Sequence, residues 1–297
     1  MEYKFLGNSD LEISRIAFGG MSLDLTTDNS RLIHQAVDHG INLFDTADLY
    51  DKGENELVLG KALKGARQKI HIATKVGNQW RTDGSGWDWN PSKSYIIEAV
   101  ENSLKRLQTD YIDLYQLHGG TIGDPFDETL EAFELLQSQG KILDYGISSI
   151  RPNVIDRWLK KSKLSSIMMQ YSLLDKRPEE SCLKSAQDSN VGILSRGVLA
   201  RGLLVDKGAK PYLNWGTSEI HKLQHTLIQR NQNRPPTHTA LRYVLSHTAI
   251  TSAVVGIRTP DQLKDVASVF DSEPLSNDEY TKLQQIIEPN TYQDHLV

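Results

Sequence analysis

Three short apolar runs in this chain end on residues that carry a charge or a proton. Leu43-Phe44 runs into Asp45, Ile70-His71-Ile72-Ala73-Thr74 into Lys75, and Tyr111-Ile112-Asp113-Leu114-Tyr115-Gln116-Leu117 into His118, while Tyr50 follows Asp45 by five residues. If the runs are parallel strands, Asp45, Lys75 and His118 share one end of a sheet, with Tyr50 in the first loop beyond it. An acid, an ammonium, an imidazole and a phenol would then meet in one small volume. Taken singly, each has a plainer reading: a turn cap for Asp45, a solvated charge for Lys75, a structural histidine for His118, packing for Tyr50.

Together they suit proton delivery to a carbonyl. A free phenol keeps its proton up to pH ~10. A nearby ammonium stabilises the phenolate and lowers that value, and a carboxylate holds the ammonium in place. A neutral imidazole can donate a hydrogen bond to the carbonyl oxygen and orient it. Nothing in the set is a strong nucleophile of the serine or cysteine kind. Attack at the carbonyl carbon must come from elsewhere, and hydride from a nicotinamide fits.

The elements that would position these residues alternate along the chain. Residues 3–13 read as a small hairpin around Gly7-Asn8-Ser9-Asp10. Strands are predicted at 15–18, 42–45, 70–75, 111–118, 142–147, 166–170, 191–195 and 252–255. Helices are predicted at 29–38, 54–64, 92–107, 126–139, 152–161, 179–189, 217–232, 237–246, 260–269 and 276–287. The helix at 92–107 opens at Pro91-Ser92 and spaces Ile96, Ile97, Val100, Leu104 and Leu107 on one face; Gly140 closes the next one. Eight strands, each followed by helical sequence, predict an α/β fold of the (β/α)8 TIM barrel type. The N-terminal β-hairpin is left to cap the barrel bottom. Phe18-Gly19-Gly20-Met21-Ser22 lacks the GxGxxG of a doubly wound dinucleotide fold. With no repeat and no internal linker, residues 1–297 are expected to form a single domain.

Bulk properties exclude other classes. Of 297 residues, 38% are hydrophobic and 24% charged, within the globular range. The net charge of −5 gives no basic stripe for a nucleic acid or a membrane surface. Cys182 is the single cysteine, so no internal disulfide or cysteine zinc site forms. No HxH or HExxH spacing occurs, and no metal is expected. Lacking a basic-then-apolar start and any run of about eighteen apolar residues, the chain is expected to be soluble and cytoplasmic. Nothing fixes its oligomeric state. Two loops are long: 76–91, with Trp80, Trp87 and Trp89, and 197–216, with Tyr212 and Trp215. Their aromatic residues would either anchor the loops or wall a substrate pocket, with Trp80 and Trp87 as substrate contacts beside Tyr50 and His118.

From end to end the chain resembles the aldo-keto reductase superfamily, in particular the bacterial branch that also resembles the potassium-channel β-subunits. The resemblance rests on Leu6-Gly7-Asn8-Ser9-Asp10-Leu11 with Phe18-Gly19-Gly20-Met21, Gly40-Ile41-Asn42-Leu43-Phe44-Asp45-Thr46-Ala47-Asp48-Leu49-Tyr50, and Ala73-Thr74-Lys75. Ser103-Leu104-Lys105-Arg106-Leu107 through Asp110 to His118, Gly146-Ile147-Ser148-Ser149, and Gln170-Tyr171-Ser172-Leu173-Leu174 extend it.

The resemblance implies reduction of aldehydes or ketones by NADPH, with NADP+ as the oxidised form. Tyr50 would be the general acid, Lys75 paired with Asp45 its tuner, and His118 the orienter. Gly20 and Met21 would lie against the ribose and pyrophosphate, with Asp45 touching the nicotinamide ribose. Ser148, Ser149 and Gln170 would hold the carboxamide, and Tyr171 would stack on the nicotinamide. Ser195, Gly197 and Leu199 belong to the segment resembling a pyrophosphate loop, where Arg196 would add charge or lie on the surface. Gly256 ends a strand before a helix start, an anion site, and Arg258 and Gln262 would grip a 2′-phosphate. Two departures stand out. Val266 replaces a frequent Asn, reducing adenine contacts, and Gly119-Gly120 follows His118 where Pro-Asp is usual, which should loosen that loop and widen the pocket.

A second reading is a nucleotide-binding, redox-sensing subunit with little or no turnover. It would keep the same four residues, and NADPH oxidation against a carbonyl panel distinguishes the two. A barrel hydrolase or metal enzyme fits the histidine spacing poorly.

Overall fold

The computed structural model describes residues 1–230 and 234–297. The last two residues of the helix predicted over 217–232 lie outside the described residues. A hairpin of β1 (Tyr3–Phe5) and β2 (Glu12–Ser14) opens the chain. It is followed by β3 (Ile16–Gly19), β4 (Leu43–Asp45), β5 (His71–Val76), β6 (Asn78–Trp80), β7 (Trp87–Trp89), β8 (Ile112–Leu117), β9 (Ile142–Ser148), β10 (Ser166–Gln170), β11 (Gly192–Arg196) and β12 (Ile250–Gly256). The helices are α1 (Ser30–Asp38), α2 (Glu54–Leu63), α3 (Lys93–Leu107), α4 (Phe126–Ser138), α5 (Pro152–Lys161), α6 (Cys182–Asp188), α7 (Thr217–Arg230), α8 (Pro236–Ser246), α9 (Pro260–Ala267) and α10 (Asn277–Gln284).

Among the described residues, eight parallel strands close in the order β3-β4-β5-β8-β9-β10-β11-β12 and return to β3. This is the (β/α)8 barrel that the alternation predicts. The helices form where the sequence gives them ends and one apolar face. In α3 the Ser92 hydroxyl accepts the Tyr95 N–H, and Gln108 leaves the helix in the left-handed region at φ 54°. Between these caps Ile96, Val100, Leu104 and Leu107 are buried, the spacing of four and three residues that one helix face requires. Among the described residues no helix is long and apolar enough to cross a membrane.

Strand parity decides what faces the barrel axis. Side chains alternate along a strand, and one apolar cluster gathers Ala17, Leu43, Ala73, Leu114, Met168, Leu194 and Val254, one from each of seven barrel strands. The same cluster contains Leu6, Leu11 and Ile13, so the N-terminal hairpin and its turn plug the barrel beneath that layer. Gly7, at φ +59°, permits this close approach. A Cβ there would lie 2.5 Å from the Gly192 nitrogen and the Ser165 carbonyl oxygen. Two residues toward the C-terminal ends, the same parity brings Asp45, Lys75, Gln116, Gln170, Arg196 and Gly256 to the inner face, an entirely different chemistry from the layer below.

The sequence predicts a long loop at 76–91. The structure has instead an antiparallel hairpin, β6 on β7, pairing Asn78 with Trp89, Gln79 with Asp88 and Trp80 with Trp87. Strands of three residues are too short for alternation to register in the sequence.

Candidate active site

Lys75 is fully buried, and its Nζ donates to Asp45 Oδ1 at 2.6 Å, to the Thr46 carbonyl at 2.7 Å and to the Tyr50 hydroxyl at 3.4 Å. The His118 ring stands edge-on to the Tyr50 ring, centroids 5.8 Å apart at 83°. The four residues brought together in the sequence reading therefore do converge, on β4, β5, the end of β8 and the turn after β4.

Their electrostatics follow from burial inside this cluster. Burial pulls the Lys75 ammonium toward neutrality, but Asp45 and Tyr50 outweigh it and leave its proton affinity raised. The pair therefore keeps a fixed cation beside the phenol, although burial also pushes the Asp45 carboxyl up against the pull of Lys75. Burial raises the Tyr50 phenol, with Lys75 acting in opposition. This corrects the expectation of a lowered phenol: desolvation is the larger influence, and the ammonium only offsets part of it. His118 is driven down to about 3 by burial and by the cations Lys75 and Arg196, so its imidazole is neutral through the physiological range. Its Nδ1 is buried and has no hydrogen-bond partner among the described residues.

The turn that carries Tyr50 is strained. Asp51 and Lys52 have φ of 49° and 56°, followed by Gly53 at 90°, and a non-glycine residue in this region costs about 1–2 kcal/mol. Several contacts hold it. Asp48 N–H reaches the Lys75 carbonyl at 3.3 Å, Trp80 Nε1 donates to the Leu49 carbonyl at 3.2 Å, and the Lys52 ammonium lies 5.2 Å from the Trp80 ring centroid. Beneath it, Glu56 accepts from Thr74 Oγ1 at 2.6 Å and from Arg106 Nε at 2.7 Å. Asp48 is buried beside this network, and burial together with Glu56 pushes its carboxyl up to about 8.

On the neighbouring stretch of the rim, beyond β3 and β12, lie residues expected to hold a dinucleotide. Gly20 is buried; a Cβ there would meet Asn55 Oδ1 at 2.8 Å and the Asp45 carbonyl oxygen at 2.9 Å. Asn55 secures it by donating to the Gly20 carbonyl at 2.8 Å. Met21 is 66% exposed. Arg258 donates Nε to the Ser22 carbonyl at 3.2 Å, and its own N–H goes to Gln262 Oε1 at 2.9 Å. The Ser22 hydroxyl is buried with no partner among the described residues, and a Cβ on Gly256 would come within 2.7 Å of it. An exposed guanidinium, an unused hydroxyl and a bare glycine beside the start of α9 suit a phosphate group. Val266 is buried on the core face of α9 and presents nothing to an adenine.

Two expected contacts are corrected by parity. Tyr171 is fully buried and donates its hydroxyl to Glu179 at 2.7 Å, with its ring between Tyr243 and His247 at centroid distances of 6.1 Å. One residue beyond the inward Gln170, it points into the helix layer and has no face to offer a nicotinamide. Ser195 is likewise fully buried, its hydroxyl given to the Tyr171 carbonyl at 3.0 Å.

The inward position next to Ser195 is Arg196, for which the sequence allows either a loop surface or a cofactor contact. It pairs with Gln170 across β10 and β11 and donates Nη1 to Gln170 Oε1 at 3.1 Å, while Gln170 Nε2 donates to the Tyr212 hydroxyl at 3.1 Å. Counting inward positions along β11 would have found it. Gly197 packs on Gln170, where a Cβ would sit 3.2 Å from Cγ. Ser148 ends β9 half-buried, and the Ser149 hydroxyl accepts the Arg151 N–H at 3.2 Å. Leu199 is half-buried against the core.

Of the tryptophans, Trp80 lies against the Tyr50 turn, while Trp87, its pairing partner, is 47% exposed. Gly119 and Gly120 both have positive φ, but they do not leave an open pocket. The Trp89 ring fills the space, 3.4 Å from where a Gly119 Cβ would be, with Nε1 on Asp124 Oδ1 at 2.9 Å. Arg151 Nη1 hydrogen-bonds the Gly120 carbonyl, pinning the loop expected to be loose. In the other long loop Trp215 is buried and donates to the Leu174 carbonyl at 2.9 Å, an anchor rather than a pocket wall.

Comparison with known proteins places this geometry. The aldo/keto reductase family model matches residues 15–288, and the chain belongs to that family. It is 42% identical over 305 residues, covering 99% of both chains, to the uncharacterized oxidoreductase YqkF of Bacillus subtilis (strain 168). The holo form of aldo-keto reductase AKR11C1 from Bacillus halodurans superposes with a TM-score of 0.95 at 47% identity, over 99% of each chain. The glycerol dehydrogenase AKR11B4 from Gluconobacter oxydans gives 0.87 at 26% identity, over 99% of this chain and 98% of that one. The chain is thus a carbonyl-acting oxidoreductase of the aldo/keto reductase type, a family that binds nicotinamide cofactors.

Proposed function

We propose that the chain, acting as one catalytic domain over residues 1–297, reduces aldehydes or ketones to alcohols with NADPH, reversibly, and that Tyr50 is the general acid. The observation that carries this reading is the buried Lys75 ammonium shared by Asp45 and Tyr50, with a neutral His118 facing the same phenol. Bound NADPH would supply the hydride. The protein's own part is to hold the substrate oxygen and to move one proton.

A carbonyl oxygen placed between the Tyr50 hydroxyl and the His118 imidazole accepts a hydrogen bond from each. As negative charge grows on that oxygen, both bonds strengthen, which lowers the barrier selectively in the transition state. The Tyr50 proton then passes to the oxygen, and Lys75 stabilises the phenolate left behind. Because burial raises the phenol, Tyr50 stays protonated and ready as an acid at neutral pH, and the tetrad is set for reduction. The neutral imidazole orients without competing as an acid.

Gly20 and Met21 would lie along the ribose and pyrophosphate. Ser148, Ser149 and Gln170, with Arg196 in place of Tyr171, would meet the nicotinamide end, and Asp45 its ribose. Gly197 and Leu199 would border the pyrophosphate, and Gly256, Arg258 and Gln262 the 2′-phosphate, which favours NADPH over NADH. NADPH oxidation against a panel of aldehydes and ketones, with wild type beside Tyr50→Phe, tests the assignment. Loss of turnover with nucleotide binding intact supports Tyr50 as the acid. Binding without any wild-type turnover overturns the reductase reading in favour of a sensing subunit.

A further inference from the structure

The β6–β7 hairpin stands outside the barrel, yet one face of β6 touches both loops that carry the proton-handling residues. Asn78 and Trp80 are two residues apart and so share a face, while Gln79 between them is exposed. Asn78 is buried and its Nδ2 donates to the His118 carbonyl at 3.3 Å. Trp80 Nε1 donates to the carbonyl of Leu49, the residue before Tyr50, at 3.2 Å. The Asn78 carbonyl in turn accepts from the Tyr95 hydroxyl at 3.4 Å, which also lies 3.5 Å from Asp48 Oδ2 in the Tyr50 loop. Across the hairpin, Trp89 fills the space above Gly77 and Gly119.

Backbone bonds within and beside each loop, Tyr50 N–H to the Ala47 carbonyl at 3.1 Å and His118 N–H to the Val76 carbonyl at 2.7 Å, hold only part of it. The Tyr50 turn passes through left-handed residues at Asp51 and Lys52, and two glycines of positive φ follow His118. Left to themselves, the first would relax and the second would wander. The geometry points to β6 as a spacer: Asn78 and Trp80 are positioning residues that set the separation of the Tyr50 phenol from the His118 imidazole by gripping the backbone carbonyl beside each. This rests on the proposed roles of Tyr50 and His118, since a carbonyl oxygen must reach both at once. It also gives Trp80 a part distinct from a pocket wall, because the working atom is its indole N–H and not its ring face.

The bonds are long, so each deletion alone should be modest and the pair should exceed either one. Asn78→Ala and Trp80→Phe, which keeps an aromatic ring but loses the N–H, are each expected to lower kcat for a small aldehyde about three- to tenfold. NADPH affinity should be unchanged, and the primary isotope effect with deuterated nicotinamide should rise as hydride and proton transfer become more rate-limiting. Gln79→Ala on the opposite face should change none of these. Amide hydrogen exchange over 46–53 and 118–121 should quicken in both variants, a readout independent of turnover. Wild-type turnover with kcat and isotope effect unchanged in both variants overturns the spacer. So does a Trp80→Phe effect confined to KM for bulky substrates, which would make Trp80 a wall. If wild type turns nothing over, the reductase reading falls separately, and unaltered exchange in the two loops would overturn the spacer as well.

Discussion

The open end of the barrel has two halves that handle charge in opposite ways. Around β4 and β5 the charged groups are buried and already hydrogen-bonded within the protein: Lys75 to Asp45, Thr46 and Tyr50, and Glu56 to Thr74 and Arg106. Around β12 and β3, Arg258, Gln262 and Met21 are exposed. A group whose proton affinity must be set needs a low-dielectric surrounding fixed in advance, because solvent would level it. A group that grips a phosphate gains from staying hydrated and mobile until the anion arrives, since a preburied guanidinium would carry the desolvation cost alone. One half is arranged for tuning, the other for capture.

The largest effects should come from breaking the tuned half. Lys75→Met leaves Asp45 buried without its cation, and a loss of about 3–5 kcal/mol of stability is expected alongside the loss of turnover. Paired denaturant melts and NADPH assays check this, and a stable but inactive variant would show that the ion pair contributes little to the fold. Tyr50→Phe should lower kcat by ~10²–10⁴-fold with nucleotide binding intact.

Breaking the capture half should spare chemistry. Arg258→Ala is expected to weaken NADPH binding by about tenfold, roughly 1.4 kcal/mol, while NADH affinity and kcat at saturation stay put. Fluorescence titration with the two nucleotides separates these outcomes, and equal weakening of both would remove the 2′-phosphate from its assigned place.

Two smaller effects sharpen the contrast through pH. His118 has its proton affinity lowered to about 3, so the reduction rate should show no acid limb near the ordinary histidine value of ~6.5; a limb there would mean that the imidazole is less buried than its surroundings imply. Asp48 is raised, to about 8. A carboxyl that binds its proton more tightly when folded stabilises the protein at low pH and loses that contribution as pH rises from ~4 through its folded value. Asp48→Asn, which mimics the protonated form, should therefore match wild type in Tm at or below pH ~4 and exceed it increasingly as pH rises, by several degrees at pH 9.

Much of the tuned half was legible because it sits at strand ends, where an apolar run stopping at a charge is visible in one dimension. The barrel itself followed from the alternation of eight such runs with amphipathic segments. What escaped was mostly a matter of parity. Tyr171 and Ser195 are each one residue from an inward position, and a motif match does not say which of two neighbours faces the axis. Arg196 was visible but undecided for the same reason. The β6–β7 hairpin escaped differently: three-residue strands rich in tryptophan carry no period, and their pairing depends on the loops they pack against. The loop after His118 shows a further limit. Two glycines imply freedom locally, and only the distant Trp89 and Arg151 remove it.

The plug beneath the barrel has a consequence for how the chain is made. Ser252 Oγ reaches the Ser14 carbonyl at 2.7 Å, and Lys4 Nζ reaches the Thr248 carbonyl at 2.7 Å, links that span 238 and 244 residues. The hairpin thus waits for β12, the last barrel strand, to be made at about 5–20 residues per second. Throughout that interval Leu6, Leu11 and Ile13 lack the β12 side of their pocket. Closure of the ring by β12 is the step that ends the exposure of the hairpin's apolar side chains.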